Sequence, residues 1–243
     1  NYSLFFVTLN KKAVLRKIFK DIFSLFFPIR CICCANSLTE NETNICTYCR
    51  HDLPFSNYTS TPKNLMEKSF YGRIPINAAT ALFLFQKKGK VQKLIHELKY
   101  KNNTEVGIFA ANILGNQILN STRFGKIDFI VPVPLHKDKL KKRGYNQNTS
   151  FGQQLAKILN ATYQPHVLIK TEDSQSQTKK SRYNRWENLR NNFLLKEPFI
   201  FENSTILLID DVTTTGATIE ACCLELLKAK NTKICIATIA HVE

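Results

Sequence analysis

The chain has 243 residues, 44% of them hydrophobic, which suits one good-sized domain with at most a small appendage and excludes a disordered chain. A formal charge of +15 and a pI of about 9.5 point to polyanionic partners: phosphates, nucleic acid or an anionic membrane surface; a Lys- and Asn-rich composition bias is the alternative. No stretch reaches the roughly 18 apolar residues of a transmembrane helix, and the opening lacks the charge order and cleavage site of a secretory signal.

Residues 11–27, KKAVLRKIFKDIFSLFF, repeat apolar side chains at helical spacing opposite a face of five cations, and Pro28 ends the pattern. Such a helix docks its apolar face on the rest of the protein or lies on an anionic membrane, without stable insertion. Five of the eight cysteines then fall between residues 31 and 49. Cys31/Cys34 and Cys46/Cys49 form two C-x-x-C pairs, a spacing that turns four thiolates toward one structural Zn²⁺ with no open position for catalysis. Cys33 and His51 are further candidate ligands, and free reduced cysteines are the alternative. Clustered cysteines suit a reducing compartment, so a cytoplasmic location is expected.

The organisation expected is an amphipathic helix over 1–27, a zinc knuckle over 28–60 and a main domain over 61–243, with the turn-rich residues 55–75 as linker. A strand follows at 79–86 and helices at 89–100 and 104–120. After that, short apolar strands at 128–134, 205–210 and 233–240 alternate with helices at 150–160 and 216–230. This pattern predicts an α/β fold with a mainly parallel central sheet flanked by helices. Residues 165–204 are polar and irregular, a flexible insertion or a lid.

The stretch ILLIDDVTTTGAT, residues 206–218, carries the chemistry. An apolar strand ends in Asp210 and Asp211, and a loop of small residues and hydroxyls leads into a helix. A helix N-terminus offers free N–H groups and a partial positive charge, Thr hydroxyls add donors, and Gly216 permits backbone that a side chain would block. This is a phosphate cradle without the lysine of a P-loop. Two carboxylates beyond it suit the hydroxyls of a sugar phosphate or a hydrated divalent ion. Adjacent strand residues point to opposite faces, so Asp210 and Asp211 share a ligand only if the strand turns there.

The stretch resembles the ribose-5-phosphate motif of the type I phosphoribosyltransferases. FIVPVPLHKDKLKKRGYNQ (129–147), SQTKKSRYNRWENLRNNF (176–193), the cysteine knuckle and Leu53-Pro54 extend the resemblance to the ComF family from about residue 25 onward. Lys170 stands where that family commonly has arginine. The resemblance implies Mg²⁺-dependent transfer of a phosphoribosyl group from phosphoribosyl pyrophosphate (PRPP), within DNA uptake, to an acceptor the sequence does not identify. It implies that Asp210 and Asp211 hold the ribose, that Thr213, Thr214, Thr215, Gly216, Ala217 and Thr218 hold the 5′-phosphate, and that backbone at Val133 and Pro134 faces pyrophosphate.

Lys137, Lys139, Lys141, Lys142 and Arg143 read as a flexible cationic loop closing on pyrophosphate, with Arg143 catalytic. Tyr145, Asn146, Gln147, Gln177, Arg182 and Arg185, with Asn188, are candidate contacts for acceptor or DNA, and each equally suits a solvated or fold-capping position. Arg143 beside Tyr145, and Arg182/Arg185 beside Tyr183 and Trp186, are pairings suited to single-stranded nucleic acid. The competing function is therefore a non-catalytic single-stranded-DNA-binding factor, working with other DNA-uptake proteins, that retains the PRPP pocket.

Overall fold

The computed structural model describes residues 26–170 and 192–243. The helix expected over 11–27, and Gln177, Arg182, Tyr183, Arg185, Trp186 and Asn188, lie essentially or wholly outside them. The chain divides into two compact units, Asn1–Asp52 and Leu53–Glu243.

In the first unit the chain reverses through a pair of short loops. Arg30 bridges Ser37, and Ile32 N–H donates to the Asn44 carbonyl at 2.9 Å. Ala35 takes a left-handed φ of 64° at the first reversal. A short helix, α1 (Thr47–His51), follows, and the Cys46 sulfur accepts from Cys49 N–H to cap it. Glu42 accepts from the N–H groups of Thr39 and Thr47, which pull its carboxyl down to about 2.

The second unit contains, in chain order, α2 (Leu65–Lys68), β1 (Ala78–Leu84), α3 (Lys90–Tyr100), α4 (Thr104–Leu119), β2 (Phe129–Pro132), α5 (Lys137–Arg143), α6 (Asn148–Leu159) and β3 (Thr162–Tyr163). It continues with β4 (Leu168–Lys170), β5 (Phe193–Leu195), a 3₁₀ turn at Pro198–Phe201, β6 (Thr205–Thr213), α7 (Ala217–Leu226) and β7 (Lys233–His241). Five strands form one parallel sheet in the order β1-β7-β6-β2-β3, and β4 pairs antiparallel with β5. The central strands read as continuous apolar runs because both faces are covered: Ile206 to Ile209 are completely buried. Ile206 and Leu208 join the cluster that holds Met66 and Phe70 of the α2 region and Ile219 of α7. On the other face Ile209 meets α6, where a Cβ on Gly152 would stand 2.7 Å from Ile209 Cδ1.

Two expectations need correction. Residues 55–75 are not a linker: Tyr58, Thr59, Asn64, Met66, Phe70 and Ile74 are buried, and Asn64 Nδ2 donates to the Ala79 carbonyl at 2.9 Å. The segment reads as a linker because α2 has only four residues, too few for a helical period to show. Residues 137–143 are not a loop. They form α5, which Gly144 ends in a left-handed conformation, φ 77°. Because Phe70 is fully buried, Phe70→Ala should lower unfolding stability by about 3–5 kcal/mol in denaturant titration. A linker residue would show almost no change.

Candidate functional site

Strand β6 runs past both acids to Thr213, so the chain does not turn at Asp210. The two carboxylates therefore diverge. Beyond the pair Pro132↔Ile209, β2 no longer flanks β6, and the start of α6 comes up to the open edge. There Asn148 Nδ2 donates to Asp210 Oδ1 at 3.1 Å and Gln147 Nε2 donates to Asp211 Oδ2 at 2.6 Å. Lys99, from the last turn of α3, pairs with Asp211 Oδ1 at 2.7 Å. Asp211 is thus buried with both oxygens engaged, whereas Asp210 stays partly exposed. Crowding by the protein, then the neighbouring Asp211 charge, pushes the Asp210 carboxyl up to about 7, against the bond from Asn148.

Asp210 lines a small cavity of about 50 Å³ with Val212 and residues 213–219. Gly216 sits at the head of α7 with φ 74°, and no side chain caps that helix. Its first N–H groups are therefore not engaged by a cap. Thr214, Thr215 and Thr218 are exposed around the rim. Thr213 is buried, and its hydroxyl oxygen has no hydrogen-bond partner. A buried hydroxyl left unpaired costs free energy. Thr213 to Thr218 and Asp210 thus line one small cavity, and Asp211 is not among its lining residues.

The other expected residues divide. Val133 N–H is committed to the Ile209 carbonyl at 2.9 Å, and proline has no N–H, so neither backbone donor of Val133-Pro134 is available to pyrophosphate. Gln147 is buried against Asp211, not presented to an acceptor. Arg143 donates to Gln147 Oε1 at 2.6 Å and its guanidinium lies 5.3 Å from the Tyr100 ring, not beside Tyr145. Tyr145 donates its hydroxyl to the Leu98 carbonyl at 2.6 Å, and the Asn146 carboxamide accepts from Asn148 N–H. Tyr145, Asn146 and Gln147 do line a larger cavity, about 390 Å³, between the end of α3, α4 and α6. Lys170 rests 5.6 Å from the Phe193 ring. Lys99 and Asn148 were not foreseen, and no local pattern marks them.

In the first unit, the sulfurs of Cys31, Cys34, Cys46 and Cys49 all lie within 4.8 Å of one another, with Cys34 and Cys46 at 3.7 Å. A tetrahedron with 2.3 Å metal–sulfur bonds has edges of about 3.8 Å. Neither Cys33 nor His51 belongs to this group. Burial pushes the Cys31 thiol up, and the N–H groups of Cys46, Cys34 and Cys33 more than offset it, bringing it down to about 6. The four cysteines form a cluster able to hold a metal ion. No helix among the described residues is long and apolar enough to cross a membrane.

Fold and site define an α/β protein with a small threonine-lined cavity and paired acids at the carboxyl end of a parallel sheet. No protein-family model matches the chain. Its homologues include the DNA utilization protein YhgH of Escherichia coli K12, 30% identical over 129 residues, which are 52% of this chain and 56% of that protein. The chain thus spans little more than half the length of that relative. Competence protein F of Haemophilus influenzae is 25% identical over 210 residues, 80% of this chain and 89% of that protein. Similar solved structures are phosphoribosyltransferases. Adenine phosphoribosyltransferase from Leishmania tarentolae has 13% identity over 69% of this chain and 93% of that chain, TM-score 0.39. Glutamine PRPP amidotransferase from B. subtilis has 16% identity over 59% and 30%, TM-score 0.41.

Proposed function

We propose that the chain is a cytoplasmic ComF-type protein that binds PRPP and transfers its phosphoribosyl group to an acceptor during DNA uptake. One observation carries the reading: a cavity that joins the uncapped N-terminus of α7 and its exposed threonines to Asp210. The 5′-phosphate lies on the N–H groups of α7 and the Thr hydroxyls. A ribose hydroxyl donates to Asp210. Asp211 takes a second hydroxyl only when Lys99 or Gln147 gives way, since both its oxygens are engaged. In the transfer the C1–O bond to pyrophosphate breaks and pyrophosphate keeps the electron pair. The acceptor nucleophile bonds to C1 and loses its proton. Positioning and charge stabilisation supply the catalysis. The names of the relatives, DNA utilization and competence, support the cellular setting.

Mg²⁺ prefers oxygen ligands and keeps several waters, so a partly exposed carboxylate suits it better than a paired one. Asp210 is the residue that would hold it, and the ion would neutralise charge on the departing pyrophosphate. The test is calorimetric titration with PRPP and Mg²⁺. Absence of binding up to millimolar PRPP sinks the proposal.

The cysteine cluster is proposed as a structural Zn²⁺ site, because four thiolates leave no open position. Metal analysis should find about one zinc per chain, and Cys49→Ser should lose it and unfold the first unit. A full-length protein that keeps its melting curve after chelation would count against this.

The non-catalytic, single-stranded-DNA reading has one favourable observation. Lys137, Lys139, Lys141 and Lys142 are all exposed on α5, beside the exposed Tyr100 on which Arg143 rests. Binding through such a surface falls steeply with salt.

A further inference from the structure

The back of the cradle is built by the segment that leads into β1. Phe70 lies directly beneath Gly216: a Cβ there would stand 2.7 Å from Phe70 Cε1. Arg73, in the turn after α2, reaches the cradle from the same side. Its Nη1 donates to the Ser69 carbonyl at 2.8 Å and to the Thr215 carbonyl at 3.1 Å. Its Nε donates to Glu220 Oε2 at 2.9 Å, and Nη2 pairs with the same oxygen. Glu220 stands in the first turn of α7 and is buried.

Each contact bears on an anion in the cradle. In a trans peptide the carbonyl and the following N–H point in opposite directions. By holding the Thr215 carbonyl on its own side, Arg73 turns the Gly216 N–H the other way, and Gly216 lines the cavity. A buried carboxylate in the first turn of a helix also opposes any anion bound at that N-terminus. A guanidinium on Glu220 removes that opposition without entering the cavity, since Arg73 is not among its lining residues.

We propose that Arg73 is a positioning residue of the phosphate cradle: it orients the Thr215–Gly216 peptide and neutralises Glu220, so that an amide-and-hydroxyl site with no lysine still accepts a phosphate monoester. The proposal rests on the cradle reading above. It assigns a role in ligand binding to a residue whose partner Glu220 is 147 positions away in the chain.

Ribose 5-phosphate, titrated calorimetrically into full-length protein, is the probe, with melting temperatures measured alongside so that every variant is compared while folded. Arg73→Met should weaken binding at least about ten-fold, a loss that salt changes little because the Glu220 charge is buried. Adding Glu220→Gln to Arg73→Met should recover the part of the affinity lost to the uncompensated Glu220 charge, leaving the part lost with the Thr215 contact. A general loss of packing would give no such recovery, because the double variant carries the same shortened side chain at position 73. A folded Arg73→Met protein that binds like the parent, or a double variant no better than the single, overturns the role of Arg73 and leaves the cradle standing. A parent protein that binds neither ribose 5-phosphate nor PRPP overturns both.

Discussion

PRPP affinity should fall about ten-fold for each pH unit below 7, level off above pH 8, and lose this dependence in Asp210→Asn. The cause is the Asp210 carboxyl, held near 7 by burial and by the charge of Asp211. A ribose hydroxyl or a hydrated Mg²⁺ is received by the ionised form, so below pH 7 the site must first release a proton. The 5′-phosphate has a titration of its own near pH 6, and Asp210→Asn exposes that background. The same variant should bind PRPP roughly ten- to hundred-fold more weakly at pH 8, the worth of one or two charge-assisted hydrogen bonds. Stability should move the opposite way. A carboxyl whose folded value lies above its unfolded value of 3.8 disfavours folding once both forms are ionised. That penalty is absent below pH 3.8 and grows as pH rises through 7. Asp210→Asn should therefore melt higher than the parent at pH 8 and equally at pH 3.5. A variant that binds worse while melting higher is the signature of a strained site kept for function. Flat affinity between pH 6 and 8 in the parent would refute the assignment.

Removing Lys99 should have a large effect on stability. Its ammonium pairs with a carboxylate whose side chain is 4% exposed, while its own is 23% exposed. Breaking a fully buried pair costs about 3–5 kcal/mol, and partial exposure of the lysine reduces that to about 2–3 kcal/mol for Lys99→Met. In a chain of this length the melting temperature should drop by about 5–10 °C. Combining it with Asp211→Leu should recover much of the loss, because a buried charge then no longer lacks a partner. A melting temperature unchanged by Lys99→Met would mean that water already screens the pair. The bond has a functional side as well. Lys99, Gln147 and Arg143 link α3, α5 and α6 to the acid on β6, so a hydroxyl that takes Asp211 must loosen that link.

Much of the fold was legible because its signals are local. Continuous apolar runs marked β2, β6 and β7, and their alternation with helical periods implied parallel pairing. The cysteine cluster was legible from two C-x-x-C spacings, and a small cavity lies where a strand, a glycine and hydroxyls meet a helix start. What failed was either too short or too distant. Met66 and Phe70 face the core from a segment whose helix has four residues, so composition spoke for a linker and packing for a wall. The cations of 137–143 form a helix stopped by Gly144, a capping choice that charge density obscures. Gln147 looked like a surface contact because nothing in its neighbourhood shows that Asp211, 64 residues on, receives its amide.

Sequence alone therefore determined the main strands and the longer helices, and singled out the cysteine cluster and the loop at 213–218, because helix periods, cysteine spacings and a glycine-bearing loop act over a few residues. Only the tertiary structure decided how the two acids differ. Asp210 opens on the cradle while Asp211 is closed by Lys99 and Gln147, and Arg73 braces the loop from behind. Those outcomes depend on which helix packs against which end of β6, and a pair of charges is strong or weak according to the water left around it.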